Sequence, residues 1–366
     1  MNRWRSLHDL PTPALLLDGP AARRNIAAAS KLVASTPARL RPHFKSHKCV
    51  PLAREQLAGG NCIGMAVATV DEATALVEGG IHDVLIANQV VGPPKVSRLI
   101  QLAQRATIRV AIDSRENAQE ISAEAQRQGA QVGVLVELAI GHRRWGVAPG
   151  EPAVALARQI SAMPGLRFDG LEAYHGSCAH LPDAAARGAY ARRTMELAVE
   201  TRQLIEAGGL SCPIVSGAGT GTFRAVLDLA GVTELQLGSY VLMDWAFQER
   251  VGDLFEIALM VWATVISVSR DEFVIDVGLK GLGNKAGPPR FPDLAGGEVL
   301  QFAAEEHTVV RAPRHGLRVG GQLRVVPSHA GGTVNLYRQL VVHEGENVRE
   351  IWPISATGYD LEASVA

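Results

Sequence analysis

Between about residues 20 and 250, short apolar runs alternate with longer amphipathic stretches. The runs fall at 40–44, 62–67, 83–87, 107–112, 132–138, 168–173, 213–215 and 234–237. Several close on Gly or Pro, and runs of this length fit strands buried on both faces of a parallel sheet. The stretches lie at 21–35, 49–58, 70–78, 96–104, 114–128, 151–162, 184–207 and 222–230. Several carry apolar residues at i, i+3 and i+4, the spacing of a helix with one buried face. About eight strand–helix repeats over roughly 230 residues predict a closed (β/α)8 TIM-type barrel rather than an open doubly wound sheet.

The pattern changes after residue 255. Runs at 257–269, 272–277, 299–302, 306–310, 321–326, 336–343 and 347–352 read as strands separated by turns, with no long helical period. They predict a C-terminal, mostly antiparallel β domain. The expected division is a barrel over 19–252 and a β domain over 253–366, joined by an N-terminal strand within about 1–18. The apolar segment 13–17 suits an extra strand of either domain.

Composition narrows the function. The chain has 366 residues, 47% of them hydrophobic, and a formal net charge of −1. A core of that size is easily buried, and the neutral balance argues against a nucleic-acid partner. No apolar run is long enough to span a bilayer, and the charged first residues lead into no apolar stretch, so no signal peptide is expected. Cys49, Cys62, Cys178 and Cys212 form no CxxC pair, which fits a reduced, cytoplasmic chain without a structural zinc. A large neutral α/β protein of this kind is expected to be an enzyme acting on a small molecule.

A barrel places its chemistry at the C-terminal ends of its strands. There the sequence holds Lys45 among His43, His47 and Lys48, the pair Arg143-Arg144, the run Tyr174 to His180, the segment Ser216 to Thr222, and Gly238-Ser239-Tyr240. The segment 216–222 packs three glycines and three hydroxyls ahead of an expected helix. Backbone N–H groups in such a turn suit a phosphate, and the loops after strands seven and eight are the usual barrel site for one. Gly219, Thr220, Gly238, Ser239 and Tyr240, with Ser216 opening the segment, are the candidate cradle; a ligand-free linker is the plain alternative. Neighbouring cations and partial burial lower a lysine's pKa and favour the amine that bonds a carbonyl. A basic surface turn is the alternative for Lys45. A lysine facing a phosphate cradle suggests pyridoxal 5'-phosphate, with Arg144 in reach of its ring.

At these residues the chain resembles the fold-type III pyridoxal-phosphate enzymes, an alanine-racemase-like barrel plus β domain. Within them it is similar to the branch of D-threonine aldolases and D-serine dehydratases. The stretches LPTPALLLD, RPHFKSHK, RRWGV, YHGSCAH, VSGAGTGT, TELQLGSYVLMD, DVGLKGLG, PSHAGGTVNLY and VREIWPISATG carry the resemblance over nearly the whole chain. It implies that Lys45 holds the cofactor, that Tyr174 and Arg144 flank its ring, and that Gly219, Thr220, Gly238 and Ser239 bind its phosphate. It implies that His180 accepts the proton of a substrate β-hydroxyl, and that the enzyme is a homodimer.

Three positions depart from the branch. Its β domain usually binds a divalent metal through His-x-Cys or His-x-Asp. Here His329 is present but Gly331 occupies the second position and has no donor. Thr357 stands where arginine is frequent, and Ala139 where an acid is common. The resemblance implies a lyase that cleaves D-3-hydroxy amino acids, such as D-threonine, to glycine and an aldehyde. A dehydratase acting on the same substrates is the first alternative. A metal-independent racemase or epimerase is the second, and a non-catalytic carrier of the cofactor the third.

Overall fold

A computed structural model describes residues 4–141, 145–176, 178, 181–294, 296–303 and 305–358. The chain divides into two compact units. One comprises Met1–Ala28, Ser46–Leu52 and Ser239–Gly358; the other holds Ala29–Lys45 and Ala53–Gly238. The sequence-based border at 252 therefore falls inside the first unit. So does the start of the first helix, because Asn25 and Glu256 exchange two hydrogen bonds of 2.8 Å.

In chain order, a strand β1 (Ala14–Asp18) and helix α1 (Gly19–Val33) precede eight parallel strands. These are β2 (Arg39–Leu40), β3 (Met65–Val67), β4 (Asp83–Ile86), β5 (Thr107–Ile112), β6 (Val132–Glu137), β7 (Leu166–Ala173), β8 (Ile214–Gly217) and β9 (Glu234–Leu235). They pair in the order β2-β9-β8-β7-β6-β5-β4-β3. Parallel bridges Leu40↔Cys62 and His43↔Ala66 join the two ends, closing the ring as a TIM-type barrel. Between the strands run α2 (Val50–Ala58), α3 (Val70–Glu78), α4 (Pro93–Ala103), α5 (Arg115–Gln128), α6 (Glu151–Ser161) and α7 (Ala184–Ala207).

Local chemistry sets the helix ends. Thr69, Ser114 and Asp183 cap α3, α5 and α7 with their side-chain oxygens. Gly129, at φ 67°, ends α5. The helix expected at 222–230 is only a single 3-10 turn, Phe223–Val226. Gly231, at φ +99° and so close to Val199 that a Cβ would lie 2.9 Å from its Cγ1, takes the chain out of helical geometry and leaves too short a segment to nucleate a longer helix.

The barrel interior carries charge. Arg41, 1% exposed, donates to both oxygens of Glu234 at 2.7 and 2.9 Å and to Asp83 at 2.6 Å. Arg109 joins Asp83 to Asp169 at 3.0 Å each, and Arg167 adds a further bond to Asp169. Three guanidinium groups thus meet three carboxylates. Burial works against the Arg41 charge, but Glu234 and Asp83 outweigh it and hold its pKa above the ordinary value. Glycine is required beside this network. A Cβ on Gly64, at φ +151°, would lie 2.5 Å from both Arg41 Nη1 and the Asp83 carbonyl oxygen.

In the other unit lie β10 (Leu259–Val268), β11 (Glu272–Ile275), β12 (Glu298–Ala303), β13 (His307–Arg311), β14 (Gln322–Val325), β15 (Gln339–Glu344) and β16 (Asn347–Pro353). Two short helices, α8 (Trp245–Val251) and α9 (Ala330–Val334), accompany them. The sheet order is β12-β13-β11-β10-β1-β15-β16, with β14 also on β10. The segment 13–17 thereby finds its place. As β1 it pairs antiparallel with β10 and parallel with β15, and its Leu16 packs with Leu7, Leu10, Trp262, Val341 and Val348. The strand expected from 336 starts at Gln339, because the turn leaving α9 occupies the preceding residues. No helix among the described residues is long and apolar enough to cross a membrane.

Candidate active site

Lys45 lies in a 3-10 turn, Phe44–Ser46, that leaves the C-terminal end of β2. It is exposed, while Phe44, His43 and Ser46 beside it are buried. Burial of the flanking residues fixes the backbone and leaves the amine outside it. Of the neighbours expected to be cationic, Lys48 keeps its ammonium, while the two histidines turn their rings to the backbone. His43 Nδ1 accepts the Lys45 N–H at 3.4 Å, and His47 Nδ1 accepts the Cys49 N–H at 3.1 Å. A ring nitrogen that accepts carries no proton, so both rings serve the backbone as neutral acceptors.

Two further strand ends meet the lysine. Tyr174 follows β7 directly, and Lys45 Nζ stands 5.4 Å from the centre of its ring. The same ring borders Gly219, where a Cβ would come within 3.4 Å of it. The turn after β8 is wound by its own bonds. Thr222 Oγ1 accepts the Gly219 N–H at 3.0 Å, and the Gly219 carbonyl accepts the Thr222 and Phe223 N–H groups at 2.9 Å. Ala218 adopts φ 55°, and Thr220 and Thr222 are buried. Gly217 must be glycine, since a Cβ would lie 2.3 Å from the Ala173 carbonyl oxygen. A lysine, an aromatic face and a glycine-rich turn thus converge on the face where barrels hold ligands. These residues fit an aldehyde-bearing phosphate ester.

Below them is a group the sequence reading missed. Glu137, Glu172, Ser216 and Glu234 are register partners across β6, β7, β8 and β9. Glu172 is fully buried. Its Oε2 accepts from Gln236 Nε2 at 2.7 Å, the second hydrogen of that amide goes to Ser216 Oγ at 3.0 Å, and Oε1 has no hydrogen-bond partner. Burial pushes the Glu172 carboxyl well above the carboxylate range, and Glu137 pushes the same way; Lys45 offsets only part of this. Its surroundings thus favour the protonated form of Glu172 over the charged one. Glu137 itself accepts from Gln89 at 2.8 Å and from the Trp145 indole. A glutamate near the end of an otherwise apolar strand, as in GLEAYH, was the available signal.

The remaining candidates are scattered. Arg144 and His180 lie outside the described residues. Ser216 ends β8, and Gly238 follows β9 in the barrel unit. Ser239 and Tyr240 form a 3-10 turn, Ser239–Val241, assigned to the sheet unit; the Tyr240 ring is buried 5.6 Å from Phe255. His329 caps α9 in the sheet unit. Burial pushes the Cys178 thiol up to about 11, so it is no nucleophile at neutral pH.

Comparison with known proteins fits this geometry. Residues 17–244 match the alanine racemase N-terminal domain and residues 258–343 a serine dehydratase domain. The chain is 40% identical to a D-threonine aldolase of Arthrobacter sp over 356 residues, 95% of this chain and 93% of that protein. It is 32% identical to a D-threo-3-hydroxyaspartate dehydratase of Delftia sp., covering 90% of this chain and 93% of that one. A crystal structure of D-threonine aldolase from Filomicrobium marinum superposes with a TM-score of 0.94 at 38% identity, over 98% of this chain and 99% of that chain.

Proposed function

This chain belongs to the alanine-racemase-like, fold-type III pyridoxal-phosphate enzymes, in the branch of the D-threonine aldolases, and from that premise we propose that it is a lyase cleaving D-3-hydroxy amino acids to glycine and an aldehyde. The observation that carries the reading is the meeting of Lys45, Tyr174 and Gly219 at the ends of β2, β7 and β8. When bound, the cofactor supplies a ring that accepts the electron pair of the breaking Cα–Cβ bond.

The chain's own groups do the rest. Lys45 holds the cofactor through its aldehyde. Tyr174 offers a flat apolar face, and by the family resemblance Arg144 would bind beside the ring. Ser216, Gly219, Thr220, Gly238, Ser239 and Tyr240 make up the phosphate-binding segments. The Gly219 N–H is already used by Thr222, so within this turn that hydrogen bond shapes the loop rather than meeting a ligand. His180 accepts the β-hydroxyl proton, a task suited to a group that titrates near neutrality. Glu172 holds the Gln236 amide in place through its Oε2.

The protein reconstituted with pyridoxal 5'-phosphate is expected to absorb in the visible, and Lys45→Ala to lose that band. Incubation with D-threonine is expected to release glycine and acetaldehyde. Release of ammonia and a keto acid would make it a dehydratase. Stereochemical exchange without cleavage would make it a racemase.

A further inference from the structure

His329 closes the N-terminus of α9 with its ring. Nδ1 accepts the Gly332 N–H at 3.0 Å, while the His329 carbonyl accepts the Thr333 N–H and hydroxyl at 3.1 and 3.0 Å. A neutral imidazole has one hydrogen, so a ring that accepts at Nδ1 carries that hydrogen on Nε2. Neither nitrogen then offers a lone pair to a cation. A ligating histidine does the reverse: the nitrogen away from the metal donates to a carbonyl or carboxylate.

Two glycines produce this arrangement. A Cβ on Gly332 would lie 2.6 Å from His329 Nδ1 and 3.5 Å from Cε1, so a side chain there would push the ring off its cap. Gly331 supplies no donor of its own. The carboxylate bonded to the segment is also committed. Asp244, 1% exposed, accepts the Phe247 N–H on Oδ1 and the Ala330 N–H on Oδ2, each at 2.8 Å. The backbone beside it is tightly seated, since a Cβ on Gly283 would lie 2.8 Å from the Thr333 nitrogen and 2.9 Å from the His329 oxygen. Among the described residues no three His, Cys, Asp or Glu side chains gather as a metal site. The donor set does not fit the divalent cation that the family resemblance implies.

We propose that this chain has exchanged that metal site for a metal-free His329 cap, and that its reaction proceeds with no bound divalent cation. The proposal rests on the lyase reading above, but its primary readout is metal binding, which does not depend on turnover.

The test uses the holoenzyme dialysed against a chelator, with metal content measured by atomic emission and Mn²⁺ binding by calorimetry. Wild type is expected to hold no stoichiometric metal, to give no Mn²⁺ isotherm, and to keep its visible absorbance and glycine release after chelation. Gly331→Asp and Gly331→Cys restore a second donor. At least one is expected to bind one Mn²⁺ or Zn²⁺ per chain, roughly tenfold or more tighter than wild type. Stoichiometric Mn²⁺ on the wild type, or turnover lost on chelation and restored by Mn²⁺, overturns the proposal. Two folded variants, matched to wild type in thermal melting, that bind no metal overturn the assignment to Gly331. A chain that binds the cofactor but turns over no 3-hydroxy amino acid sinks the lyase reading and leaves the metal result standing.

Discussion

On one side of the barrel interior, Glu234 receives both arms of the Arg41 guanidinium. On the other side Glu172, in the same register row, receives only the neutral amide of Gln236. Both are buried glutamates, but Glu234 meets a guanidinium while Glu172 meets an amide and the neighbouring Glu137. Where a cation is supplied the carboxylate becomes part of a closed ionic network. Where none is supplied, burial favours the protonated form and the carboxyl bonds only to an amide. The second outcome is placed beneath Lys45 and Tyr174, where an extra buried charge would compete with the chemistry.

Removing the cation's partner breaks this contrast most severely. Glu234→Ala leaves Arg41 buried with only Asp83, and a loss of about 4 kcal/mol is expected by chemical denaturation. Gly64→Ala attacks the same network through sterics and backbone strain. A loss of about 3 kcal/mol should appear in the same measurement.

Glu172→Gln sharpens the contrast, because it fixes the neutral state. A carboxyl whose pKa is raised on folding contributes stability that is full below its unfolded value and is lost as pH rises through the folded one. The variant is therefore expected to melt higher than wild type above about pH 5. The gain should widen with pH and vanish at lower pH. Equal melting curves across that range would show that Glu172 is an ordinary carboxylate. The smallest effect expected is that of Thr222→Val, which frees the Gly219 N–H. It should cost about 1 kcal/mol and weaken cofactor retention measured by visible absorbance.

The barrel was legible because parallel strands buried on both faces read as unbroken apolar runs. Lys45 and the segment 216–222 stood out because reactive residues and glycines cluster where strands end. Their surroundings were not legible. His43 and His47 read as cationic company for Lys45, yet their rings turn back to local N–H groups. Glu172 and Gln236 are 64 positions apart, and only strand pairing brings them together. The end of the expected 222–230 helix was hidden for a similar reason, because its amphipathic spacing outlasts the single turn that forms. The membership of β1 depended on partners at opposite ends of the chain, which no local pattern records.

That last feature governs the order of assembly. β1 sits between β10 and β15, so residues 14–18 find one neighbour near 260 and the other near 341. A chain leaving the ribosome presents β1 before the barrel strands and both of its neighbours after them. The barrel segment 53–238 contains seven of its eight strands in one continuous stretch and can collapse while β1 still waits. Until β10 and β15 emerge, both edges of the apolar strand Ala14–Asp18 lack their partners, so this strand stays open to pairing with other chains for as long as the barrel takes to be made.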